Sequence, residues 1–326
     1  CALGARSARP GEFSERAFLN GRLDLAQAEA VADLIDASSA QAARAAQRSL
    51  EGELSRRVRE LVEELTQLRM FVEGALDFSD EDVNWLADDG LRQRLAALLE
   101  HLRALLRDCA QGRRLREGMV VALSGQPNVG KSTLLNRLAG SEAAIVTDIA
   151  GTTRDVLREN IVLDGMPLTV VDTAGLRDSD DPVEREGIRR AWKALEQAEL
   201  ALFLVDDRAG VTAQDRALLE KFPANARRVV VRNKCDLSGA APGAFAQDGE
   251  DHLRLSASTG IGIEELVAKI REAAGLASGS EGLFSARTRH VDALRRALGY
   301  VEDAQQRLLE GATPELAAEE LRLAQD

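Results

Sequence analysis

Two kinds of hydrophobic spacing alternate along the 326-residue chain. From about Leu25 to Gly112 the spacing is helical. Leu50, Leu54, Val58, Leu61, Leu65, Leu68 and Val72 recur at steps of three and four. Leu91, Leu95, Leu98, Leu102, Leu105 and Cys109 repeat the pattern after a break at Asp88-Asp89-Gly90. Each stripe covers one face of a helix and needs a partner surface, which antiparallel neighbouring helices supply. Cys109 extends the second stripe and reads as a small core residue.

Between about Met119 and Gly275 the pattern changes to short apolar runs, at residues 119–123, 160–163, 168–171, 200–205, 229–231 and 252–255. Helical stretches separate most of these runs, which predicts a mostly parallel sheet with helices on both faces. Asp164-Gly165 sits between two runs as a hairpin turn, so one edge strand is expected to be antiparallel. A Gly/Ser-rich stretch from Gly275 to Gly282 closes this unit. Val291, Leu294, Leu298, Val301 and Leu308 then form one more helical stripe. Helical segments on both sides of an α/β unit predict an insertion: the flanks pack as one bundle and the α/β domain emerges from it.

Length and charge narrow this picture. A chain of 326 residues implies two domains, or two and a part. With eight Phe, two Trp and one Tyr, the core must be built from Leu, Val, Ile and Ala. The formal charge of −12 counts against a free-standing, charge-driven nucleic-acid binder. RNA contact through a local basic patch or a partner stays open. No run of about 18 apolar residues occurs, so no membrane span is expected. Cys1, Cys109 and Cys235 are scattered, which argues against a disulfide framework or zinc site and makes a reducing cytoplasm the expected compartment. The chain begins at Cys1 with no leader pattern and reads as a piece of something longer.

The chemistry is concentrated in the α/β unit. Gly125-Gln126-Pro127-Asn128-Val129-Gly130-Lys131-Ser132 fits G-x-x-x-x-G-K-[ST] and lies between a β-run and a helix. Its glycines let backbone N–H groups curl around phosphate oxygens, and the helix N-terminus adds partial positive charge. Lys131 would bridge the β- and γ-phosphates and the Ser132 hydroxyl would ligate Mg²⁺. Asn128, Val129, Gly130, Lys131, Ser132 and Thr133 are the candidate phosphate-binding residues. Downstream, Asp172-Thr173-Ala174-Gly175 ends a β-run, placing an Mg²⁺-linked carboxylate and a γ-phosphate-sensing N–H. Asn233-Lys234-Cys235-Asp236 ends another, and Asp236 can accept hydrogen bonds from guanine N1–H and the N2 amine, which adenine cannot supply. Ser256-Ala257-Ser258 follows the next run and can close over the base. Four such motifs in order, each at a strand's C-terminal edge, specify a guanine nucleotide. A candidate mobile loop, Thr147-Asp148-Ile149-Ala150-Gly151-Thr152-Thr153, lies between the first two, with Thr153 placed to close on Mg²⁺. The expected fold class is therefore α plus α/β: a helical bundle with an inserted Ras-like P-loop GTPase domain.

The catalytic residue is less direct. Ras-type GTPases orient the attacking water with a Gln after Asp-x-x-Gly, but that position is Leu176 here. Arg177, Asp178, Asp180, Asp181 and Glu184 are the polar candidates nearby. Asp181-Pro182-Val183-Glu184 also reads as a capping box, with Asp at N-cap, Pro at N1 and Glu at N3. Asn128 reads either as a residue tolerant of a left-handed turn or as an oxygen ligand for a monovalent cation beside the phosphates.

Over essentially its whole length the chain resembles the MnmE (TrmE) family of tRNA-modification GTPases. The phosphate loop, Gly151-Thr152-Thr153-Arg154-Asp155 and Asp172-Thr173-Ala174-Gly175-Leu176-Arg177 carry the resemblance. So does the opening segment from Ala8-Arg9-Pro10-Gly11-Glu12-Phe13 to Leu25, which ribosome-assembly GTPases of the Era and Der type do not carry. The resemblance implies residues 1–20 as a remnant of an N-terminal folate-binding and dimerising domain. It implies a helical domain at 21–115 and 283–326, interrupted by a G domain at 116–282. It further implies a homodimer working with the flavoprotein GidA (MnmG) to install a carboxymethylaminomethyl-type group on C5 of the tRNA wobble uridine. A tetrahydrofolate derivative would supply the one-carbon unit, and GTP hydrolysis would drive association of the G domains.

By the same resemblance Asn128 and the backbone carbonyls of Thr147, Ile149 and Thr152 would hold K⁺. Ser132 and Thr153 would bind Mg²⁺, and Glu184 would activate water. Arg22 stands where the family often has a folate-contacting lysine, keeping the charge with a different donor geometry. The family's Cys-x-Gly-Lys ending does not occur in this chain. An Era- or Der-type ribosome-assembly switch is the alternative; it predicts a basic RNA-binding module that the acidic flanks do not offer. A scaffold with a degenerate G domain is disfavoured by the intact Lys131, Ser132, Thr153 and Asp236.

Overall fold

The helical stripes and β-runs condense into separate compact units in the computed structural model. It describes residues 6–77, 89–140, 144–146, 158–163, 165–172, 196, 198–220, 226–247, 249–275, 282–309 and 314–325. One unit comprises Cys1–Ala37, Ala42–Arg113 and Glu281–Asp326; the other comprises Ser38–Gln41 and Arg114–Ser280.

The first unit is helical, with α1 (Glu12–Leu19), α2 (Leu25–Ile35), most of α3 (Ala40–Leu50), α4 (Glu53–Asp77), most of α5 (Asp89–Glu117), α10 (Thr288–Leu309) and α11 (Pro314–Gln325). Asp24 caps α2: its side chain accepts from Gln27 N at 2.8 Å, and Gln27 Oε1 accepts from Asp24 N at 3.0 Å. Leu54, Leu61, Leu65, Leu68 and Val72 of α4 share one core with Leu91, Leu95, Leu98, Leu102, Leu105 and Cys109 of α5. Phe284, Val291, Val301, Ala304 and Leu321 from the last segment belong to the same core, so both flanks build a single bundle. Gly112 of α5 makes this possible locally, because a Cβ there would lie 1.9 Å from Phe284 O. Cys109 is fully buried, and burial pushes its thiol up to about 12, as suits an inert core residue. Val58 departs from the predicted stripe: it is 37% exposed, beside a groove of about 1040 Å³ that Leu61 and Leu65 also line. The final stripe lies on α10 alone, and α11 opens separately at Pro314, where a missing N–H costs nothing.

The second unit is an eight-stranded sheet in the order β2-β3-β4-β1-β5-β6-β8-β7. Its strands are β1 (Met119–Gly125), β2 (Ala144–Val146), β3 (Arg158–Leu163), β4 (Met166–Asp172), β5 (Leu200–Asp206), β6 (Arg227–Asn233), β7 (Gly243–Gln247) and β8 (Glu250–Arg254). The pairs β1/β4, β1/β5, β5/β6 and β6/β8 are parallel. Side chains alternate across β1: Met119, Val121 and Leu123 pack with Leu134, Leu135 and Leu138 of α6 (Lys131–Ala139) and with Leu266 and Ile270 of α9 (Ile263–Ala273). Ala122 joins Phe203, Val230 and Leu219 of α7 (Ala213–Leu219) in a second cluster. Burial on both faces explains why these strands read as continuous apolar runs.

The expected hairpin and an antiparallel edge are both present, but on different strands. The hairpin through Gly165 (φ +80°) joins β3 to β4 as an antiparallel pair, but β3 is not an edge. The short strand β2 pairs antiparallel outside it, and a third antiparallel pair, β7/β8, forms the opposite edge. Among the described residues, no helix is long and apolar enough to cross a membrane.

Candidate functional site

The parallel strands deliver their C-terminal ends to one side of the sheet, and each nucleotide motif begins there. Gly125 closes β1, Asp172 closes β4, Asn233 closes β6, and Ser256 follows β8 by two residues. The phosphate loop owes its shape to left-handed positions that few side chains tolerate. Gly125 has φ +144°, and a Cβ there would sit 2.3 Å from Leu204 O. Gly130, the N-cap of α6, has φ +101°, and its Cβ would sit 2.3 Å from Asn233 Nδ2. Asn128 has φ +63°, a conformation its short polar side chain accepts. Val129 is buried between these turns, while Ser132 and Thr133 are exposed in the first turn of α6. First-turn N–H groups have no acceptor within the helix, so they are available to an anion. Lys131 is buried, its ammonium donating to Gly125 O at 2.8 Å and Gln126 O at 3.0 Å. It therefore lies folded across the loop that would hold the phosphates.

The base-reading side is tied to this loop by side chains. Asn233 is 2% exposed; its Nδ2 donates to Val129 O at 2.7 Å and its Oδ1 accepts from Ala257 N at 2.9 Å. Lys234 adopts φ +68° and donates to Asn128 O at 2.8 Å and to Asp206 Oδ2 at 3.1 Å. Asp206, the last residue of β5, is held below the usual carboxylate range chiefly by Arg208, with Lys234 adding to the effect. Cys235 and Asp236 open the short helix α8 (Cys235–Ser238). Cys235 is buried, and burial pushes its thiol up, reinforced by the charges of Asp236 and Asp207. Asp236 is exposed, its carboxylate available to a base. Ser256 and Ser258 exchange a hydroxyl hydrogen bond at 3.0 Å. Arg137 of α6 donates to Ala257 O at 3.2 Å and also to Ser258 O, fixing the loop that would close over the base.

Asn233 thus joins three motifs at once. Replacing it by Ala strips Val129 O and Ala257 N of buried partners. The nucleotide-free protein should lose about 2–4 kcal/mol of unfolding free energy, which urea denaturation reads directly. A midpoint equal to that of the parent chain would refute the bridging role.

The structure brings Asn128, Val129, Gly130, Lys131, Ser132, Thr133, the base motif and the serine loop to one sheet edge. Thr147, Asp148, Ile149, Ala150, Gly151, Thr152, Thr153, Thr173, Ala174, Gly175 and Glu184 lie outside the described residues, and only the backbone of Asp172 is described. Among the candidate Mg²⁺ ligands Ser132 is therefore placed. A single hydroxyl at the phosphate end of α6 fits a cation that takes most of its ligands from phosphate oxygens and water. Of the K⁺ set Asn128 is placed, exposed at the loop tip. Arg22 belongs to the helical unit, exposed in the turn between α1 and α2, with its backbone N–H on Ala17 O at 2.9 Å. Arg137 and Asp206 were not foreseen from the sequence. Asp206 had a usable signal, a carboxylate at the C-terminal end of a buried run; Arg137 had none.

Comparison with known proteins agrees with this geometry. The family model described as the MnmE helical domain matches residues 25–326. A Thiobacillus denitrificans protein named tRNA modification GTPase MnmE is 55% identical over 326 residues, covering 99% of this chain and 71% of its own. Its namesake in Chromobacterium violaceum is 54% identical over 324 residues, again 99% and 71%. Among solved structures, Era of Aquifex aeolicus aligns at 27% identity over 56% of this chain and 66% of its own, with a TM-score of 0.35, too low to bear on the argument. With a family model spanning most of the chain and relatives more than half identical across 99% of it, the chain belongs to the MnmE family of tRNA modification GTPases.

Proposed function

We propose that this GTPase is K⁺-stimulated and works in modification of C5 of the tRNA wobble uridine, with GTP hydrolysis coupled to association of two G domains. The observation that carries the nucleotide part is Asn233, whose side chain ties the phosphate loop to the base-closing loop. A site so linked takes the phosphates and the base of one nucleotide together.

In this reading the backbone N–H groups at the start of α6 and the Lys131 ammonium take the β- and γ-phosphates. Lys131 exchanges the carbonyls of Gly125 and Gln126 for phosphate oxygens. Asp236 accepts from the guanine edge while Ser256, Ala257 and Ser258 cover the ring. Ser132 and Thr153 hold Mg²⁺; Asn128 and the carbonyls of Thr147, Ile149 and Thr152 hold K⁺. When bound, these cations neutralise charge on the phosphoryl oxygens. Glu184 orients the attacking water and accepts its proton, the role that Leu176 cannot fill. The GidA (MnmG) flavoprotein and tRNA are the partners of the homodimer, and Arg22 contributes a cation to a tetrahydrofolate derivative. The scattered, buried Cys109 and Cys235 suit a reducing cytoplasm.

Glu184→Ala tests the catalytic assignment. GTP affinity should stay within about twofold while kcat falls by about 10²–10⁴, as read by single-turnover hydrolysis beside nucleotide titration. An unchanged kcat would return Glu184 to helix capping.

A further inference from the structure

The helix that carries Asp236 is four residues long, so its own hydrogen bonds do little to fix it. On its N-terminal side Cys235 N donates to Leu255 O at 3.2 Å. At its other end the Ser238 hydroxyl donates to Oδ2 of Asp207 at 2.5 Å. Asp207 stands one residue past β5, its backbone N–H on Asn233 O at 2.8 Å, and its side chain is only 3% exposed. No nucleotide motif includes it.

A buried carboxylate requires compensating donors. Arg254 Nε donates to Asp207 Oδ1 at 3.2 Å, and Arg232 Nη1 lies 3.8 Å from the same oxygen. Both guanidinium groups lie over the ring of Phe245, at 4.2 Å for Arg254 and 5.5 Å for Arg232. Phe245 is in β7, the antiparallel edge strand that neither phosphate nor base binding calls for. A continuous set of contacts thus runs from the edge hairpin, through two arginines and Asp207, to the far end of the Asp236 helix.

We propose that Asp207 is a positioning residue for base selection: anchored by Arg254 and Arg232, it fixes Ser238 and so sets the angle at which Asp236 meets the guanine edge. This rests on the reading of Asp236 as the base acceptor. The consequence falls on selectivity rather than on phosphate binding. Guanine offers Asp236 both N1–H and the N2 amine, whereas hypoxanthine offers N1–H alone. A carboxylate held at the wrong angle loses the second contact first.

The test is titration of GDP and IDP with the whole chain and its variants. Ser238→Ala and Asp207→Ala should each shrink the GDP-over-IDP preference by about fivefold or more, and Ser238→Thr, which keeps the hydroxyl, should retain it. Ser238 is exposed, so its variant folds even where removal of the buried Asp207 carboxylate does not. Loosening of the domain without repositioning weakens both nucleotides alike; a parental preference in Ser238→Ala would therefore overturn the role of Asp207. Asp236→Asn runs beside them as the reference. If it leaves GDP affinity intact, the base reading itself falls. If it weakens GDP while Ser238→Ala keeps the parental preference, the failure belongs to Asp207 alone.

Discussion

Asp236→Asn is expected to lower GTP affinity by about 10²–10³-fold and to make XTP the better ligand. In the proposed reading the carboxylate accepts two hydrogen bonds from guanine, one from N1–H and one from the N2 amine. An amide keeps one acceptor and turns the other position into a donor, which then faces the N2 amine with nothing to receive it. Xanthine carries a carbonyl where guanine has that amine, so the amide matches it. The surroundings make the effect specific. Lys234 holds its left-handed turn by bonding Asn128 O and Asp206, and Asn233 is locked between two loops, so the backbone carrying residue 236 has no reason to move. Competition titrations with GTP and XTP give the answer, and retained GTP affinity would refute the base contact.

Gly130→Ala is the second large effect. The φ of +101° is one that L-residues rarely adopt, and the new Cβ would lie 2.3 Å from Asn233 Nδ2. Either Asn233 abandons Val129 O or the first turn of α6 shifts, and both outcomes damage the phosphate cradle. Stability should fall by about 2–4 kcal/mol, with nucleotide affinity down by about 100-fold or more. Gly210 offers the control: its φ is +66°, yet a Cβ there meets nothing within 4 Å. Gly210→Ala should cost only about 1 kcal/mol and leave GDP binding intact. Equal losses in the two variants would mean that backbone strain, not the Asn233 contact, sets the requirement for glycine at 130.

Much of this fold was legible because its signals are local. The stripes on α4 and α5 are periodic over many turns, and strands buried on both faces are unbroken apolar runs. What escaped reading lacks such signals. Strand β2 is three residues long, too short for any period to register. Strand β7 is mostly exposed and holds a glycine and two alanines, so its place at the edge depends on pairing with β8. The hairpin through Gly165 was visible, but neither of its strands is an edge, because β2 pairs outside β3 and β1 lies beside β4. The nucleotide motifs were legible because each is a contiguous string whose chemistry dictates its residues. Their connections were not. Asn233 reaches Val129 across 104 residues, and Arg137 reaches Ala257 across 120, distances at which sequence alone carries no geometry. The Asp207 anchor combines residues from four separate elements and was invisible for the same reason.

The proposed function turns on K⁺ assistance of GTP hydrolysis in the G domain. The most direct measurement compares GTP hydrolysis in K⁺ and Na⁺ at equal ionic strength and saturating Mg²⁺. If a cation at Asn128 and the loop carbonyls replaces an arginine finger, as proposed, the K⁺ rate should exceed the Na⁺ rate by about tenfold or more. Equal rates in the two salts would contradict the claim and leave Asn128 as a turn-forming residue only.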